Sequence, residues 1–213
     1  MKKNRTFRAL LFFVVAMALT TLFAACGERL RTGDLVFVCA DTTGMDAAIS
    51  DATADTNTVN YSHVGIIEVT PDSGAFVIDA TPKYGVLRRP LQQFVEENGT
   101  CRFYRLEGYN NEDEWIDRAT GYIGLPYDFY FLPDNGKYYC SELVAEVYVN
   151  ADGNPIFKSK PMNFRAADGT IPDYWVNLFD SLGVEVPQGV MGTNPNDLVK
   201  SGKVQRIDLG DRR

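Results

Sequence analysis

Two apolar runs, SHVGIIEV and GAFVIDATP, flank the turn signal Pro71-Asp72-Ser73-Gly74. Proline presets φ for the first central position of a turn and glycine tolerates positive φ, so the pair reads as a β-hairpin. Both strands are apolar on both faces, which places the hairpin in the interior of a sheet. LVFVCA (Leu35–Ala40), following Gly33-Asp34, reads as another strand, as do CRFYRLEG from Cys101 and KVQRIDL from Lys203. Helical signals lie between and after them. NNEDEWIDRATGYIG opens with acidic residues and carries Trp115, Ile116, Ala119 and Ile123 near helical spacing before Gly124 and Pro126 stop it. PDYWVNLFDSLG and NPNDLVKSG add helices in the tail, and GVLRRPLQQFVEE reads as a strand end followed by a short helix. Helices on one side of a mostly antiparallel sheet make the expected class α+β. At 213 residues the chain has room for one domain with a full core.

The first 25 residues stand apart from this pattern. Lys2, Lys3, Arg5 and Arg8 precede the apolar stretch ALLFFVVAMALTTLFAA, which ends at Cys26. This is the pattern of a secretory signal, too short and one-sided for a membrane span. LFAAC resembles a bacterial lipobox, with Phe23 where a branched aliphatic residue is usual. On that reading Cys26 is lipidated and residues 27–213 form a single exported domain, tethered to a membrane in the cell envelope. The alternatives are cleavage elsewhere or an uncleaved anchor. The signal holds 4 of the 21 basic residues and none of the 28 acidic ones, so the remainder carries a net charge of −11. Such a domain has no electrostatic reason to bind nucleic acid.

Three cysteines remain. Cys39 and Cys101 sit in strand-like surroundings, where buried thiols are the ordinary reading and a bridge between them the alternative. Cys140 differs: it lies between the tyrosines of KYYCSELVAEVY, and Leu143, Val144, Val147 and Tyr148 follow the spacing of a buried helix face. A helix beginning there points unpaired N–H groups and its positive dipole end at the sulfur, a setting that favours the nucleophilic thiolate. The same groups can receive an oxyanion. Set against this is simple burial, since free cysteine is among the most buried residue types. His63 is the single histidine, so it alone could act as base for Cys140, from 77 residues away. One histidine, and no two cysteines spaced two to four apart, argue against a metal centre, and no cofactor is expected.

A base of this kind needs a third group to orient its ring. Asp79, a carboxylate in an otherwise apolar strand, is the best placed, with Glu68 and Asp72 as weaker alternatives. Strand register decides the matter. If Val69 pairs with Ala75 across a five-residue loop, His63 faces Thr81 and Asp79 lies diagonal to it on the same face. A two- or four-residue loop would send Asp79 to the other face.

The ordered motifs GDLVF, SHVGII, FVIDATPKYGV and GLPYDFYF…KYYCSEL resemble the YiiX-like branch of the NlpC/p60 cysteine hydrolases. These are circularly permuted papain-like enzymes in which histidine precedes cysteine. The resemblance runs from about Arg31 to Val149. It implies a barrel-like antiparallel sheet with packed helices, Cys140 as nucleophile and His63 as base. Asp79 falls where many relatives carry glutamate or another polar orienting residue. Tyr127 matches an aromatic position lining the cleft, and Tyr139 and Tyr61 join it as candidate substrate-binding residues. Asp128 is read equally as a turn acid or a functional one. The implied chemistry is hydrolysis of an amide in a cell-wall peptide, or in a lipid acyl or fatty amide, through a thioester. Acyl transfer on the same fold and a binding module without turnover are the alternatives.

Overall fold

The computed structural model describes residues 28–53 and 59–209. In chain order the elements are β1 (Leu35–Cys39), α1 (Gly44–Thr53), β2 (Tyr61–Thr70), β3 (Gly74–Thr81), β4 (Gly85–Pro90), α2 (Leu91–Asn98), β5 (Cys101–Leu106), α3 (Glu112–Gly121), α4 (Cys140–Val147), β6 (Lys160–Pro161), α5 (Asp173–Leu182), β7 (Met191–Gly192), α6 (Pro195–Lys200) and β8 (Val204–Ile207). Six strands form one sheet in the order β4-β3-β2-β1-β5-β8, with every neighbouring pair antiparallel. Among the described residues the two edge strands β4 and β8 do not pair, so the sheet is not shown to close into a barrel. β6 and β7 make a separate two-stranded ribbon. The folded body is Leu30–Ile207. Of the second unit, formed by the chain's two ends, Glu28 donates its N–H to the Asp208 carbonyl at 2.8 Å.

The hairpin is central, as its two-sided apolarity requires, and Val69 pairs with Ala75 and Thr70 with Gly74. Its two faces bury different things. On one side Leu35, Phe37, Val64, Ile66 and Ile78 join Leu143, Val144 and Val147 of α4 in the main core. On the other, Val36, Val38, Ile67 and Val77 pack with Phe94 of α2 in a second, smaller cluster. Helices therefore cover both faces rather than one, because β1, β2 and β3 each present apolar side chains both ways. α3 begins with Glu112, Asp113 and Glu114, which suit the positive end of its dipole, and buries Trp115 and Ala119. Ile123 lies beyond its end and is exposed.

Two of the close approaches that need glycine lie near the site. A Cβ on Gly65 would stand 2.4 Å from Val77 Cγ1 and 3.3 Å from Asp79 Cβ. Gly85, at φ +69°, would bring a Cβ to 2.2 Å from the Leu125 carbonyl oxygen. That carbonyl accepts the Val86 N–H at 2.9 Å, which ties the stretch before Tyr127 to the start of β4.

Candidate active site

The register of β2 and β3 carries His63 and Asp79 to one face, where His63 Nε2 and Asp79 Oδ2 are 2.7 Å apart. Asp79 is fully buried and the His63 side chain is 15% exposed. Of the three acids weighed to orient His63, Asp79 is the one in contact with it. Glu68 instead pairs with Arg88 at 2.6 Å, and Asp72 sits exposed in the turn. The ring of His63 stacks on Phe94, with centroids 5.9 Å apart and planes 22° apart. Asp79 Oδ2 also accepts from Arg89 Nη2 at 2.7 Å, and the other arm of that guanidinium reaches Glu97.

Cys140 is the first residue of α4, preceded by Tyr139 in extended geometry. The Tyr139 carbonyl accepts the Leu143 N–H at 3.0 Å, and the Tyr139 N–H donates to Glu142 Oε2 at 3.4 Å. The thiol is unpaired and 5% exposed, so it is both a buried residue and the opening residue of a helix. Burial opposes charge on His63, but the negative charge of a Cys140 thiolate and hydrogen bonds to Asp79 and Cys140 outweigh it. Together they push the imidazole from its ordinary 6.5 up to about 10. With Nε2 held by Asp79, Nδ1 is the ring nitrogen left for the sulfur.

Tyr127 reaches this centre through backbone pairing. Tyr138 donates its N–H to the Pro126 carbonyl at 3.1 Å and Asp128 donates to the Tyr138 carbonyl at 3.3 Å. These bonds lock Pro126–Asp128 alongside the residues just before Cys140. Burial first, and then the charge of Cys140, hold the Tyr127 hydroxyl well above its ordinary range, so it remains a proton donor. Asp128 proves to be the turn acid: its carboxylate accepts the Tyr130 and Leu132 N–H groups at 2.9 and 2.8 Å. It thereby shapes the loop that puts Phe131, at φ +53°, into an aromatic cluster. Phe131 lies 5.1 Å from Tyr139, 5.7 Å from Phe164 and 5.4 Å from Trp175, centroid to centroid.

Two cavities meet at Cys140 and Tyr127. One is walled largely by Phe131, Tyr139, Met162, Phe164 and Trp175. The other contains His63 and has a rim of Asp46, Lys83, Tyr84 and Glu97. Tyr139 lines the first; its hydroxyl accepts the Thr193 N–H at 3.1 Å. Tyr61 lines neither. Strict alternation along β2 would put it on the face of His63, but Ser62 is an extra residue in the pairing, since Val38 faces His63 and Cys39 faces Tyr61. This bulge turns Tyr61 into the main core, where its hydroxyl meets that of Tyr104 at 2.6 Å. Cys39 and Cys101 are unbridged. Burial, and then the charge of Cys39, push Cys101 up to about 11. Cys26 and the signal-like segment lie outside the described residues.

Arg89 was not among the residues singled out from sequence. Its signal was present, because a carboxylate buried in an apolar strand calls for a cation and β4 offers Arg88 and Arg89 on opposite faces. The walls of the apolar cavity were legible only in part: the stretch from Tyr127 to Tyr139 marked itself as aromatic, whereas Met162, Phe164 and Trp175 come from the tail.

A cysteine opening a helix, against a histidine–aspartate pair that precedes it in the chain on an antiparallel sheet, is the arrangement of circularly permuted papain-like proteins. The family model described as a permuted papain-like amidase enzyme, YaeF/YiiX, C92 family, matches residues 29–208, and the chain belongs to that family. It is 29% identical to YiiX of Escherichia coli K12 over 162 residues, spanning 74% of this chain and 75% of that one. It is 32% identical to protein OPG091 of variola virus over 122 residues, 56% of this chain and 71% of the viral protein. The crystal structure of YiiX from Escherichia coli O157:H7 superposes with a TM-score of 0.70 at 25% identity, covering 86% of this chain and 99% of that one. That YiiX is described as a metalloprotein. Among the described residues of this chain, no three His, Cys, Asp or Glu side chains are grouped to hold a metal ion.

Proposed function

We propose that this protein is an exported thiol hydrolase that cleaves an amide bond at Cys140. The observation that carries the reading is the 2.7 Å contact of His63 Nε2 with Asp79 Oδ2, with Cys140 at the helix start beside the same imidazole. The Cys140 thiolate adds to the amide carbonyl carbon. The oxyanion formed is met by the free N–H groups at the start of α4 and by the Tyr127 hydroxyl. The carbon–nitrogen bond breaks as His63 gives its proton to the leaving amine, and an acyl thioester remains on Cys140. His63, now neutral, takes a proton from water. The hydroxide adds to the thioester, the carbon–sulfur bond breaks, and the acid and the thiolate–imidazolium pair are restored. Asp79 keeps the ring oriented throughout.

The apolar walls around Phe131, Phe164 and Trp175 favour a substrate whose acyl part is apolar, a fatty or lipid acyl amide, over a charged cell-wall peptide stem. Acyl transfer in place of hydrolysis would appear as product formed with an added alcohol or amine in preference to water. Cys140→Ala separates a membrane-tethered binding module from both: a binding module would keep its ligand affinity and phenotype, whereas an enzyme would lose function.

The deciding experiment follows alkylation of Cys140 by iodoacetamide against pH, read by mass spectrometry, in the wild type and in His63→Ala. Reaction far below the ordinary thiol range of about 8.5, lost on removing His63, is the expected result. An inert Cys140, or one indifferent to His63, would sink the hydrolase reading and leave the binding module.

A further inference from the structure

Asp79 Oδ2 has two partners at equal distance. His63 Nε2 lies 2.7 Å away on β2 and Arg89 Nη2 lies 2.7 Å away on β4. Arg89 is 6% exposed, and its second arm is anchored by Glu97 of α2. Its guanidinium carbon stands 4.8 Å from the centroid of Phe94, the ring on which His63 stacks. One cation thus fixes the carboxylate from behind and braces the aromatic platform beneath the imidazole.

The charge balance shows why this matters. On the reaction path set out above, His63 passes between imidazolium and neutral imidazole. When it is neutral, a fully buried Asp79 would be left as a carboxylate without a cation. An uncompensated buried carboxylate is costly, and turning away to relieve that cost would free the ring. Arg89 supplies a permanent counter-charge, since guanidinium does not deprotonate in proteins, and its planar fork holds Asp79 and Glu97 at once. A lysine could offer the charge but not the fork.

We propose that Arg89 is a positioning residue of the site, acting through Asp79 and Phe94 to hold His63 in one orientation and one neutral tautomer, with Nε2 protonated and Nδ1 free for Cys140. The proposal rests on the hydrolase reading for its purpose, though not for its test. The titratable and charged groups around the imidazole are Cys140 of α4, Tyr127 before it, Asp79 on β3, Arg89 on β4 and Glu97 on α2, with Asp46 of α1, Lys83, Tyr84 and Tyr174 of α5 along the same cleft.

The test uses the fact that the chain has a single histidine. Long-range ¹H–¹⁵N correlation spectra of its imidazole are recorded against pH in a Cys140→Ala background, so that thiolate charge does not hold the ring protonated. The background protein is expected to show one Nε2–H tautomer. Adding Arg89→Gln should give a mixture of tautomers and move the titration upward, because a nearby cation is gone. Arg89→Lys should recover part of the wild-type behaviour. In chains that retain Cys140, Arg89→Gln should slow iodoacetamide alkylation at pH 6 by up to about 100-fold, the loss that misplacing a reacting group brings. A single tautomer with unchanged titration in a folded Arg89→Gln chain overturns the proposal, and Arg89 is then only packing. If that variant does not fold by circular dichroism, Arg89→Lys and Glu97→Gln are judged by the same spectra. A wild-type Cys140 indifferent to His63 would remove the hydrolase reading instead, without touching the tautomer result.

Discussion

His63 carries a proton in the folded chain over a range where the unfolded chain does not. Its pKa rises from 6.5 to about 10, because the charge of Cys140 and the hydrogen bonds to Asp79 and Cys140 outweigh burial. The resulting stabilisation is fully present below about 6.5 and is lost as pH rises through 10. His63→Gln should therefore cost more stability at pH 6 than above pH 10, as measured by urea unfolding. Glu142 adds a slope of the same sign from the opposite kind of group. Burial pushes this carboxyl from 4.5 up to about 8, so the folded state again binds the extra proton, between those limits. Above pH 8 the protein bears a poorly solvated carboxylate. Glu142→Gln, which keeps an acceptor for the Tyr139 N–H, should raise stability most above pH 8 and hardly at all below 4.5. Equal gains at both ends would contradict burial as the cause.

At the scale of elements, the site depends on how closely β2 and β3 approach. Gly65 lies two residues from His63, and a Cβ there would overlap Val77 and press on Asp79. Gly65→Ala should cost about 1–3 kcal/mol through overpacking, read as a lower unfolding midpoint, and should also weaken the dependence of Cys140 alkylation on His63. Stability lost with that dependence unchanged would mean that Asp79 does not move with β3. These strands also show what could be read from sequence. Parity put Asp79 on the face of His63 only for the register in which Val69 pairs with Ala75, which is the register the strands adopt; alternation is a local rule, and the loop length fixes register. The amphipathic run after Cys140 gave a helix start for similar reasons. Tyr61 escaped because a bulge at Ser62 breaks alternation and leaves no mark in residue types. Arg89 escaped because its contact needs the register of a third strand. The second helical layer escaped because α2 meets the sheet only after the chain has crossed β4.

For the whole molecule, charge and attachment set where the fold can work. With residues 1–25 removed the chain is strongly acidic, and among the described residues no helix is long and apolar enough to cross a membrane. If Cys26 is lipidated, Cys26→Ala in a bacterial host should move the protein from the membrane fraction to the soluble one and remove the added lipid mass. An unchanged distribution would assign the attachment to something else. The two cavities that meet at Cys140 differ in their walls. On the proposed reaction, an acyl group seated among Phe131, Phe164 and Trp175 would stay in place while the amine, on the side of Asp46 and Lys83, would be free to diffuse off. Departure would then be ordered, with the polar half leaving first and the greasy half remaining bonded to sulfur until water arrived by the path the amine had vacated. Such a molecule would pass through an acylated state in every cycle, and water would have to enter before the next substrate could.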